Sequence, residues 1–175
     1  MRDIDLLKLE SQAAFQDLLD SIDGVSEQQA WGKVEFLPGE YMHSEGSILS
    51  TVMHIAAPKF LYGSAGYRNL EIRWRDTVDR LERFWPSWEG AKEYLHEAHE
   101  YWQSTWANER DLERMVTTFS GKQWPNWRVI WTVTQHDSYH AGQIHLLKAI
   151  VPPSTNPPPD ESDLWRKYCE PLPSW

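Results

Sequence analysis

Apolar residues recur at helical spacing in four stretches of the chain. Over residues 3–22, Ile4, Leu7, Ala14, Phe15, Leu18 and Ile22 share one face, and Gly24 follows as a C-terminal stop. Ser26 opens the pattern Ser-x-x-Gln, a capping box that starts a short helical turn leading to Trp31. After a loop, Ser47 caps a second helix that reaches about residue 63, with Ile48, Val52, Ile55 and Leu61 at its apolar positions. Pro58 lies inside it and has no N–H to donate to the carbonyl of His54, so a bend is expected just after that residue.

Residues 64–86 are charged and irregular, with a short helix expected around 76–84. A third long helix opens near Ser87. Ala91, Leu95, Ala98, Trp102, Trp106, Leu112, Val116 and Phe119 keep close to the 3.6-residue period, and Gly121 and Pro125 break the chain after it. The fourth helix, about 126–151, carries Val129, Val133, His136, His140, Ile144 and Leu147 on one stripe, which turns both histidines toward the core. No stretch reads as paired strands and no internal repeat is visible. The pattern predicts an all-α four-helix bundle over residues 1–151. From Pro152 the chain is proline-rich, and residues 152–175 are expected to form an extended arm that lies on the domain or a partner through Trp165 and Trp175.

Composition narrows the function. At 175 residues the chain suits one domain with a full core. Seventeen basic residues face 26 acidic ones for a net charge of −9, which argues against nucleic acid and anionic membranes as partners. The first ten residues are charged and no window has the roughly 18 apolar residues of a membrane span, so a soluble, cytoplasmic protein is expected. The single cysteine, Cys169, excludes an internal disulfide framework, and any metal must be held by histidine and carboxylate. Eleven tryptophans supply large rings for a core, an interface or a ring-lined pocket.

The segment TQHDSYHAGQIH carries the candidate chemistry. His136 and His140, four residues apart on a helix, sit roughly 40° apart on one face and one turn from each other, so a single metal ion can be reached by both. His54 lies among apolar neighbours in STVMHIAAP, where an unpaired imidazole is costly to bury, and is the best third ligand. Three neutral imidazoles from two helices suit Zn²⁺, Ni²⁺ or Fe²⁺ with at least one position left for water or substrate. Asp137 is a candidate for orienting a ligand from behind, and Gln143 for orienting a substrate or a ligand. Trp127, Trp131 and Tyr139 flank the stripe and could wall a pocket, although packing is their default role.

Other metal patterns fit less well. The zincin motif His-Glu-x-x-His would need a glutamate where Asp137 stands, and His145 is turned roughly 140° from His140. A di-iron carboxylate site would draw on Glu40 with His43 and Glu93 with His96, but the first pair falls in an expected loop and His96 lies off the apolar stripe. His99 reads as a core-edge histidine, and Cys169 lies in the tail, away from any nucleophilic role.

The core histidine of GSILSTVMHIA together with HDSYHAGQI in the last helix resembles the DinB-like (DinB/YfiT) metal-binding four-helix bundles, across about residues 3–151. That resemblance implies a histidine triad, His54, His136 and His140, holding zinc or nickel in a bundle that often dimerises. It also implies a small-molecule substrate and a metal-dependent S-transferase using a low-molecular-weight thiol. A metal-dependent hydrolase and a non-catalytic, metal-binding stress-response protein are the alternatives within the same resemblance.

Overall fold

The computed structural model describes residues 3–34 and 46–158, and these are mostly helical. Helix α1 spans Asp3–Ile22, with Gly24 at φ 69 in the left-handed region just beyond its end. Helix α2, Glu27–Trp31, starts at Ser26, whose hydroxyl accepts the Gln29 N–H at 3.2 Å. Helix α3, Ile48–Tyr67, is capped by Ser47 through the Ser50 N–H at 3.1 Å. It continues through Pro58 and runs one turn beyond the expected end, with Ser64 still buried there.

Helix α4, Trp74–Phe84, begins two residues earlier than expected, where the Asp76 carboxylate accepts the Arg73 N–H at 2.7 Å. Helix α5, Trp88–Trp106, opens at Ser87 as its sequence predicts. It then stops well short of Phe119. Residues Met115–Thr117 form strand β1, paired antiparallel with β2, Gln123–Pro125, with Val116 opposite Trp124 and Gly121 at φ 78 in the connecting turn. The expectation that no strands pair is thereby corrected. Val116 is buried beside an exposed Met115, an alternation too short to separate from the helical period that precedes it.

Helix α6, Asn126–Ile150, has no side-chain cap. Its first amides are instead taken by main-chain carbonyls, Asn126 N–H by Arg114 and Trp127 N–H by Leu112, so the strand segment also anchors the helix that carries two histidines.

Helix α3 packs most extensively on α5 and α1 on α6, while α3 and α6 meet along a narrower contact. Because α3 has neighbours on several sides it is apolar nearly all round, with Ile48, Leu49, Val52, Met53, Ile55 and Ala56 fully buried. A second apolar cluster, built on Trp102, Trp106 and Ile130, closes the end near the strands. The described start of the tail lies on α2, where the Ser154 N–H donates to the Gln28 carbonyl at 2.8 Å. Gly32 permits that approach, since a Cβ there would stand 2.1 Å from the Pro152 carbonyl oxygen. Among the described residues no helix is long and apolar enough to cross a membrane.

Candidate metal centre

The narrow contact between α3 and α6 is where the three histidines meet. His54 comes from the second turn of α3, and His136 and His140 from successive turns of α6. His136 Nε2 lies 3.2 Å from His54 Nε2 and 3.1 Å from His140 Nε2. The three rings are tilted against one another, their centroids 4.4 to 5.1 Å apart, so that nitrogens rather than ring faces converge. Among the described residues this is the one cluster of side chains with metal-ligand geometry.

The spacing can be tested against coordination chemistry. With metal–nitrogen bonds of about 2.0–2.1 Å, tetrahedral donors stand about 3.3 Å apart and adjacent octahedral donors about 3.0 Å. The separations of His136 Nε2 from His54 and from His140 fall between these values. The donor set therefore fits a single divalent ion of the first transition row, and three imidazoles leave room for a further ligand in either geometry.

Protonation favours the same use. The His140 Nδ1–H donates to Gln143 Oε1 at 2.6 Å, which assigns the ring's proton to Nδ1 and leaves Nε2 as a lone pair facing His136. Burial lowers the His140 pKa to about 4, and the hydrogen bond to Gln143 opposes that only in part. His136 is pushed well below the ordinary histidine value, first by burial and then by the neighbouring His140, His54 and Lys59. Neutral imidazole is the form that binds a metal. His140 is buried, whereas His54 and His136 are half-buried, so the centre sits at the edge of the core with one side toward solvent.

Asp137 is paired with a lysine of α3 rather than with a ligand histidine. Its two oxygens accept from Lys59 Nζ at 2.6 and 2.5 Å, and both residues are removed from water, Lys59 at 0% and Asp137 at 1% exposure. Burial raises the Asp137 carboxyl and lowers the Lys59 ammonium, and the attraction between them opposes both shifts. Lys59 escaped the sequence reading because a lysine ordinarily marks a solvated position. The signal was its place in AAPKFL, inside an otherwise apolar run.

The remaining candidates separate. Tyr139 packs its edge against His140, ring centroids 5.0 Å apart, and is 62% exposed, so it stands beside the centre as a wall. Trp127 and Trp131 lie on earlier turns of α6 and are exposed; Trp127 lines a separate groove with Ile4, Leu7 and Leu112. His99 is buried and stacked on Phe15 with ring centroids 3.4 Å apart, while His96, Glu93 and His145 face solvent. Glu40, His43, Trp165, Cys169 and Trp175 lie outside the described residues.

Comparison with protein-family models, curated proteins and solved structures finds no match for the chain.

Proposed function

We propose that the chain is a DinB-like four-helix-bundle protein in which His54, His136 and His140 hold one zinc or nickel ion, and that it is a metal-dependent S-transferase acting with a low-molecular-weight thiol. The observation that carries this reading is the convergence of three Nε2 atoms, two of the contacts at 3.1 and 3.2 Å, between α3 and α6. His54, His136 and His140 would hold the ion, and its Lewis acidity would lower the proton affinity of a thiol or water bound beside them.

The protein's own residues have defined parts in this reading. His140 is oriented by Gln143, Tyr139 forms a wall for the substrate, and the half-exposed side of the triad is where the thiol enters. Lys59 and Asp137 are buried and engaged with each other, so neither serves as nucleophile or proton donor to substrate. Helices α1, α3, α5 and α6 would be the four of the bundle, supported by the packing of α3 on α5 and of α1 on α6. The protein would be cytoplasmic and homodimeric, and the exposed Trp131, Leu146 and Ile150 along α6 support a covered face there.

Water would reach the partly exposed His54 and His136 as a thiol would, which keeps a metal-dependent hydrolase as the second reading. Cobalt-substituted protein titrated with thiols separates them. A thiolate charge-transfer band rising with thiol concentration supports the transferase, and an unchanged spectrum with ester or amide hydrolysis supports the hydrolase. Metal bound in a closed shell, with neither response, would leave a non-catalytic metal-binding protein.

A further inference from the structure

The buried ion pair joins the same two helices as the triad. Asp137 follows His136 directly on α6, and Lys59 lies five residues after His54 on α3, about 7.5 Å further along the helix. Their side chains point deeper than the histidines: Lys59 Nζ stands 5.6 Å from the centre of the Phe15 ring of α1. Pair and triad are thus two rows of cross-links along one helix–helix contact, one inside the core and one at its edge.

That contact is narrower than the packing of α3 on α5 or of α1 on α6, and apolar packing is non-directional. A metal site needs its donors within about 0.2 Å of their places. The Lys59 ammonium, held by both oxygens of the Asp137 carboxylate, is by contrast a specific polar cross-link between the two helices. Stability alone is a weak reason for the pair, because well-packed apolar residues of similar volume often replace a buried ion pair at no cost or with a gain.

We propose that Lys59 and Asp137 are positioning residues that set the approach of α3 to α6 and thereby the spacing of His54 from His136 and His140. The inference rests on the metal reading above and deepens it.

The test uses the full chain with cobalt and zinc as probes. The double variant Lys59→Met, Asp137→Leu removes the pair and keeps the volume. Asp137→Glu keeps both charges and lengthens the strut by one methylene. The double variant is expected to melt without metal at or above the wild-type temperature, to bind zinc at least tenfold more weakly in chelator competition, and to shift the visible bands of bound cobalt. Asp137→Glu is expected to weaken zinc several-fold with a shifted cobalt spectrum. Wild-type zinc affinity and cobalt spectra in both variants would overturn the proposal. So would a double variant that fails to fold while Asp137→Glu binds metal normally, since the pair would then serve stability alone. If the wild-type chain takes up neither ion, the metal reading falls and the positioning role falls with it, an outcome distinct from wild-type uptake unchanged in the variants.

Discussion

Gln143 Oε1 accepts the Nδ1 proton of His140 at 2.6 Å, three residues further along the same helix, so one turn of α6 contains both a ligand and the group that sets its tautomer. Removing the acceptor frees the ring to turn and to carry its proton on Nε2. Gln143→Leu is therefore expected to weaken zinc binding by about 10–100-fold, with Gln143→Glu restoring much of it. Competitive titration with a chromophoric chelator measures both, and equal affinities in wild type and Gln143→Leu would remove Gln143 from the site.

Metal content tests the triad itself. Protein purified without a His-tag or chelator is expected to carry about one ion per chain, and the double variant His136→Ala, His140→Ala none, by mass spectrometry. The variant should also lose the rise in melting temperature that excess zinc gives the wild type. A variant that retained the ion would place the metal elsewhere.

Breaking the Lys59–Asp137 pair from one side leaves a charge buried and unpaired. Asp137→Asn is expected to destabilise the protein by about 3–5 kcal/mol in urea unfolding, as is typical when one partner of a buried pair is removed. A loss below about 1 kcal/mol would mean that water reaches Lys59, contrary to its complete burial.

Acid stability follows from the buried histidines. Burial, with Lys59 and His96 adding to it, lowers the His99 pKa to about 3, and burial lowers that of His140 to about 4. As pH falls, the unfolded chain takes up these protons first, near the ordinary histidine value of about 6.5. The two histidines therefore leave stability whole above about pH 6.5 and subtract from it progressively as pH falls toward 4 and then 3. The metal-free protein should lose melting temperature over that range, and His99→Leu should lose less of it. Parallel pH profiles for wild type and His99→Leu would contradict the assignment.

Much of this molecule is legible in its residue order. Ser26, Ser47 and Ser87 mark helix starts because a hydroxyl before an apolar-periodic run has few other uses, and each accepts the amide expected of it. His136 and His140 fall on the core stripe because a four-residue step is nearly a full helical turn. The pattern fails where local and helical periods overlap. Leu112, Val116 and Phe119 continue the spacing of α5, yet the chain turns after Trp106 and pairs β1 with β2, since three residues carry too little pattern to announce a strand.

The sequence by itself determined where α2, α3 and α5 begin and the helix face that His136 and His140 share, because these depend on spacing within one segment. Only the tertiary structure decided that His54 meets His136 at 3.2 Å and that Asp137 faces Lys59 instead of a ligand. Those pairings span 82 and 78 residues, and they are set by how α3 and α6 pack rather than by any period along the chain. Helical spacing places a residue on a face, and only packing chooses its partner on the facing helix.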